Sequence, residues 1–235
     1  MNESKVNKAL LTCTLQLEQQ CIDEGHVLVA GLDEVGRGCL FGPVVVAAVV
    51  FPPNLSESSL PKCRDSKKLS QKQRERLYKE IQNSAADISV EFGHADEIDQ
   101  YNILHTTLCC FSRAVINLQN TKPTICLIDG NQKPTPTKHS WPENIRTRTI
   151  VKGDSISLSI AAASIIAKVT RDRWIIDLVQ RTPKLKPYCF DCNMGYPSLA
   201  HRKALTQYGP TEWHRRSYKW TPVPNIIKST DSNNN

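Results

Sequence analysis

The chain has 235 residues, 40% hydrophobic and 23% charged, with a formal net charge of +7, which suits one globular domain with a sizeable core and leaves room for an anionic partner. No run of about 18 apolar residues occurs, which argues against a membrane-spanning helix, and the polar opening MNESKVNKALLTCTLQLEQQ is not a secretory signal. Of nine cysteines, Cys39, Cys109, Cys110 and Cys126 lie in apolar segments and read as small hydrophobes of a reducing cytoplasm, whereas Cys189 and Cys192 form a lone CxxC without a second pair at zinc-ligand spacing.

In chain order, residues 5–22 predict a short amphipathic helix with Leu10, Leu11, Leu15 and Leu17 on its apolar face. Residues 27–50, VLVAGLDEVGRGCLFGPVVVAAVV, then organise the rest. Two β-branched apolar runs, bounded by Gly and Pro, read as buried strands joined by a glycine loop, Gly36-Arg37-Gly38 followed by Gly42-Pro43. The first run ends in Asp33 and Glu34. Side-chain alternation would point these two acids to opposite faces, so the strand is expected to end there, or one acid to reach round from the edge. On these residues alone two readings stand: a divalent-metal site beside a backbone-lined loop, or a hairpin with a solvated polar end.

Residues 54–68 read as a polar loop holding the basic cluster Arg64-Asp65-Ser66-Lys67-Lys68. Ser70 caps a helix to about residue 83, residues 88–92 alternate as a strand, and 96–119 carry a helical stripe. A strand over 124–128 ends in Asp129-Gly130. The stretch 132–144, with three prolines, reads as an exposed loop, and 145–151 as a strand. Lys152-Gly153-Asp154-Ser155 opens a long helix rich in small residues, against which something can pack closely. Residues 183–197 are irregular, 199–208 helical, and the tail after 221 frays. This alternation predicts a mixed α/β sheet with helices on its faces.

Three element boundaries therefore carry acids: Asp33-Glu34, Asp129 and Asp154. If the first and fourth strands are neighbours, Asp33 and Asp129 lie side by side at their ends, and Asp154 enters from the first turn of the long helix. Without a cation such acids raise one another's pKa; with Mg²⁺ or Mn²⁺ they become the oxygen ligands a hard cation requires. Taken singly, Asp154 reads more readily as a helix cap and Asp129 as a turn former; the joint pattern weakens those readings.

The segments GLDEVGRG (31–38), GPVVVAAVV (42–50), DSKKLS (65–70), IDQYNIL (98–104), LIDGN (127–131), KGDSISLSIAAASIIAKVTRD (152–172), MGYPSLAH (194–201) and YGPTEWHRRSY (208–218) closely resemble bacterial type 2 ribonuclease H, ribonuclease HII, in the order of that family. The resemblance implies a ribonuclease H-like α/β fold: a mixed five-stranded sheet with helices on both faces and a small C-terminal helical extension. It divides the chain into a lead-in (1–26), a catalytic domain (27–182), the extension (183–220) and a flexible tail (221–235).

It further implies an endoribonuclease acting as a monomer on RNA/DNA hybrids and on ribonucleotides embedded in duplex DNA. Asp33, Glu34, Asp129 and Asp154 would hold two metal ions, Mg²⁺ or Mn²⁺. Gly36, Arg37 and Gly38 would meet the 2′-hydroxyl and flanking phosphates, Tyr196 would stack at the RNA–DNA junction, and Ser66 and Lys67 would hold DNA phosphates. His201 and His214 are left as structural. Type 3 ribonuclease H shares much of this motif set but carries an extra N-terminal domain, against about 26 residues before the first strand here. Cys39 and Phe41 depart from the family's usual smaller residues or Pro, which predicts a bulkier loop mouth. Gln132 replaces a common basic residue, and Asn193-Met194 a common His-Lys.

Overall fold

Five strands form one mixed sheet in the order β3-β2-β1-β4-β5, comprising β1 (Val29–Val35), β2 (Val44–Val50), β3 (Asp87–Gly93), β4 (Ile125–Asp129) and β5 (Arg146–Ile150). The computed structural model describes residues 13–54, 61–63 and 66–224. The expected positions of Leu10 and Leu11, of Arg64 and Asp65, and of the tail beyond 224 lie outside these residues. β1 runs antiparallel to β2 and parallel to β4, and β4 runs parallel to β5.

The sheet is covered on both faces because β2 is apolar on both. Val45, Ala47 and Val49 pack against α6 (Leu158–Arg181) and, through Leu77 and Ile81, α2 (Gln71–Ser84). Val44, Val46, Ala48 and Val50 pack with Leu108, Phe111 and Val115 of α4 (Ile103–Ile116). A strand buried on both sides reads as a continuous hydrophobic run, which is what VVVAAVV is.

The small residues of α6 serve its closeness to β1. A Cβ on Gly31 would stand 2.2 Å from the Ser159 carbonyl carbon and 2.4 Å from the Ile160 nitrogen. Glycine is required there by backbone-to-backbone approach, since neither neighbour can move aside by rotating a bond.

Several expectations are corrected. β1 does not end at its acids: Asp33 pairs with Ala47 and Glu34 with Val46 of β2. What ends is the pairing on the other side, where β1 and β4 part after Leu32 and Ile128. The first described helix, α1, spans Gln16–Asp23 and excludes Leu15. The 96–119 helix is two, α3 (Ala95–Tyr101) and α4, broken at Asn102, whose φ of 69° ends one helix while its side chain accepts from His105 N and caps the next. The 132–144 stretch is not simply exposed. It holds the short α5 (Pro136–His139), and Trp141 is buried with its indole donating to Ile145 O at 2.8 Å. Asp154 lies in a separate 3₁₀ turn, Gly153–Ser155, and α6 starts later, capped by Ser157. The irregular 183–197 segment contains a 3₁₀ turn, Pro183–Tyr188, and α7 (Phe190–Asn193), before α8 (Leu199–Tyr208).

Replacing Gly31 by Ala is expected to cost at least about 2 kcal/mol, the scale of overpacking where the neighbour is backbone. Urea denaturation of the two proteins measures this. A variant of wild-type stability would show that α6 can retreat from the sheet.

Candidate active site

The parting of β1 from β4 creates the site. Beyond Leu32, β1 keeps its partner on only one edge, and Asp129 ends β4 beside the opening. Alternation sends Asp33 toward α6, where the Ser164 hydroxyl favours its charged form, and Glu34 toward the opposite face, where its Oε1 pairs with Arg37 Nη1 at 3.3 Å. Asp33 Oδ1 also accepts from Glu34 N at 2.7 Å. Asp129 Oδ1 accepts from Gly153 N at 2.7 Å, which ties the end of β4 to the turn carrying Asp154. Lys67 Nζ stands 3.6 Å from Asp154 Oδ2.

Three of the acids are perturbed. Burial, then Glu34 and Asp129, hold Asp33 well above the usual carboxylate range. Burial carries Glu34 up to about 7, with Asp129 adding to the rise and Arg37 and Lys67 opposing it. Asp129 is raised by burial and by Asp154, against backbone N–H donors and Lys67. These are acids in need of positive charge, and their hard oxygens are the donor set that Mg²⁺ or Mn²⁺ takes. The residues fit such ions, although among the described residues no three His, Cys, Asp or Glu side chains form a ready-made metal cage.

The loop beside the acids is held from behind. Gly36 has φ +93°, and a Cβ there would lie 2.3 Å from Arg171 Nε, so backbone alone faces the opening. Arg171, fully buried, donates from Nε to Pro43 O at 2.9 Å, from Nη2 to Phe41 O at 2.9 Å and from Nη1 to Met194 O at 2.8 Å. Arg215, also buried, donates to Gly42 O at 3.0 Å and to Arg37 O at 2.9 Å. Arg37 and Gly38 are exposed, and Tyr196 is 41% exposed, with burial of its hydroxyl raising that group to about 12.

The structure therefore brings the four acids, Lys67 and the glycine loop to one opening. It keeps Ser66 below them: Ser66 is buried, its hydroxyl 2.9 Å from that of Ser164, which in turn favours the charged form of Asp33. The bulkier loop mouth is not found. Cys39 and Phe41 are fully buried, and Phe41 turns inward to stack on Phe190 at 3.7 Å between centroids. Asn193 is spent locally: its side chain accepts from Gly195 N and donates to Tyr188 O.

Three supports were not foreseen. Arg171 and Arg215 lie inside segments that carry the family resemblance, which was their only signal. The third is residues 13–18, which clasp the Asp154 turn. Thr14 N donates to Ile156 O, Leu158 N donates to Thr14 O, and Glu18 Oε1 accepts from Ser157 Oγ, Ser159 N and Ser159 Oγ. Nothing in the local sequence marks Glu18 as a cap for a helix some 140 residues away.

A model of the ribonuclease HII family matches residues 30–221. A ribonuclease HII of Shewanella halifaxensis is 46% identical over 204 residues, covering 87% of this chain and 92% of that one. Among solved structures, the ribonuclease H2 of Pyrococcus horikoshii OT3 is similar with a TM-score of 0.67 and 29% identity, covering 82% of this chain and 94% of the other. The ribonuclease HIII known as Bst-RNase HIII, described in complex with Mn²⁺, shares the fold at 22% identity and TM-score 0.60, covering 77% of this chain and 61% of its own.

The raised acids predict a pH signature without added metal. Glu34 has a folded-state pKa above its unfolded value of 4.5, so it costs nothing below about pH 4, when both states are protonated. The penalty grows as pH rises from 4.5 to about 7 and is constant above. In chelator, Glu34→Gln is expected to melt a few degrees above wild type at pH 8 and level with it at pH 4. Excess Mg²⁺ should shrink the gap at pH 8. An equal gap at both pH values would remove the electrostatic explanation.

Proposed function

Because the chain belongs to the ribonuclease HII family, we propose that it is an endoribonuclease that hydrolyses the RNA strand of RNA/DNA hybrids and cuts 5′ of ribonucleotides embedded in duplex DNA. The ends left are a 3′-hydroxyl and a 5′-phosphate. The observation supporting this reading most directly is the joint placement of four acids, Asp33, Glu34 and Asp129 among them held above their ordinary pKa, and a backbone-lined glycine turn at one opening of the sheet. Bound at Asp33, Glu34, Asp129 and Asp154, two Mg²⁺ or Mn²⁺ ions would supply an activated water and stabilise the leaving 3′-oxygen.

The chain's own groups do the rest. The turn Gly36-Arg37-Gly38 lets backbone approach one ribose closely, and the 2′-hydroxyl is the group that separates RNA from DNA. Arg37 and Lys67 offset the acid field before substrate arrives and lie where phosphates must pass. Ser66 acts through Ser164, steadying Asp33. Tyr196, exposed as a residue, offers its ring as a stacking platform at the RNA–DNA junction. In this reading residues 27–182 are the catalytic body and 183–220 its substrate-selecting extension, working as a monomer in the cytoplasm.

Asp33→Asn is expected to abolish cleavage while leaving hybrid binding intact or tighter, because a metal ligand is lost while repulsion of phosphate falls. Retention of more than about a tenth of the wild-type rate, roughly 1.4 kcal/mol of barrier, would sink the assignment. Tyr196 is tested by initial rates on a DNA duplex holding one ribonucleotide against a uniform RNA/DNA hybrid. Stacking on an aromatic ring is worth about 1–3 kcal/mol per base. Tyr196→Ala should therefore lower the ratio of those rates by roughly 5- to 150-fold, and Tyr196→Phe much less. An unchanged ratio in Tyr196→Ala assigns junction recognition elsewhere.

A further inference from the structure

The segment carrying Tyr196 is tied down by a chain of hydrogen bonds with only one consistent direction. At one end, Thr211 N lies 2.8 Å from His214 Nδ1. A backbone N–H only donates, so Nδ1 of His214 is an acceptor and the proton of the neutral ring resides on Nε2. At the other end, His201 Nδ1 lies 2.9 Å from Tyr196 O. A carbonyl only accepts, so His201 carries its proton on Nδ1 and presents a bare Nε2. The two Nε2 atoms face each other at 3.0 Å, one donor and one acceptor. Thr211, His214, His201 and Tyr196 thus form one line of donors pointing at a single carbonyl, which also receives Ser198 N at 2.7 Å.

Both rings are buried, His201 fully. Phe190 meets His201 edge-on at 4.9 Å, and Phe41, from the loop beside the acids, meets His214 edge-on at 5.1 Å. Desolvation lowers the pKa of both rings, His214 to about 3, which opposes the second proton that would set two N–H groups head to head.

We propose that His201 and His214 are positioning residues for substrate selection: their directional hydrogen-bond chain fixes the Tyr196 backbone and with it the angle at which the ring meets the RNA–DNA junction. This rests on the junction role of Tyr196 given above. A stacking platform discriminates only when its plane is set before the substrate arrives, because a free ring adapts to either sugar. The chain supplies that preset from α8 and the following turn without touching nucleic acid.

Two measurements test it. Imidazole ¹⁵N spectra of the whole protein at pH 7 should show His214 protonated at Nε2 and His201 at Nδ1. The same tautomer in both rings, or a doubly protonated ring, overturns the chain. The second measurement is the single-ribonucleotide to uniform-hybrid rate ratio. His201→Leu keeps volume and cannot donate; it should lower the ratio at least about fivefold, in the direction of Tyr196→Ala. His201→Asn, whose side-chain NH₂ can replace the Nδ1 donor, should restore most of it. His214→Phe, which keeps the ring packed and removes the inner donor, covers the case in which His201→Leu does not fold, and should also lower the ratio. If Tyr196→Ala lowers the ratio while His201→Leu and His214→Phe leave it at the wild-type value, the positioning role fails and the junction role stands. If Tyr196→Ala leaves the ratio unchanged, both fall together.

Discussion

The functional face depends on a buried cation held by backbone carbonyls. Arg171 lies fully inside, on α6, and its guanidinium is spread over three carbonyls from two separate segments. Burying a charge is expensive unless its donors are satisfied, and charge-assisted bonds to oriented carbonyls are the stronger kind. The fork has fixed geometry, so Phe41, Pro43 and Met194 must hold their carbonyls where its donors point. The longest helix thereby sets the distance between the glycine loop, which leads into Pro43, and the Tyr196 turn, which follows Met194. A lysine in its place would offer a point charge and could not span both.

The sheet contributes the opposite kind of charge, and by subtraction. A parallel pairing that ends at Leu32 and Ile128, directly before the acids, leaves β1 backbone without a neighbour on that side, and the acids lie at the gap. Folding brings these side chains together against their mutual repulsion. Sites of this kind are places where stability is given up for chemistry. The neighbouring scaffold compensates locally: backbone N–H groups of Glu34 and Gly153 each hold one carboxylate oxygen, and residues 13–18 brace the turn behind Asp154.

Much of this was legible in the sequence. The two runs flanking Asp33 and Glu34 are strands, Ser70 caps α2, with Gln73 completing the box, and residues 199–208 are the helix α8. These features are local: period, cap residue and breaker all lie within a few positions. What escaped was set at long range. Whether β1 ends at Asp33 depends on β2 and β4 separately, and no local pattern distinguishes losing one partner from losing both. Asn102 carries a positive φ that the helical stripe across 96–119 conceals, because the stripe is drawn by residues that follow it, and α3 buries only Ile98. Trp141 is buried although three prolines surround it, because its indole finds a carbonyl at Ile145. The inward turn of Phe41 was invisible because its partner, Phe190, is some 150 residues away.

That inward turn has a consequence for how the molecule can change over evolution. Phe41 belongs at once to the loop beside the acids and to the core of the C-terminal extension, where it joins Leu185, Tyr188 and Phe190. Among the described residues the extension has no hydrophobic centre independent of the loop, so the two cannot be inherited, exchanged or lost as separate modules. A lineage drifting toward another substrate by reshaping residues 39–41 would first meet a folding barrier. Compensating changes in the extension would have to come earlier, as neutral steps, before the loop was free to vary.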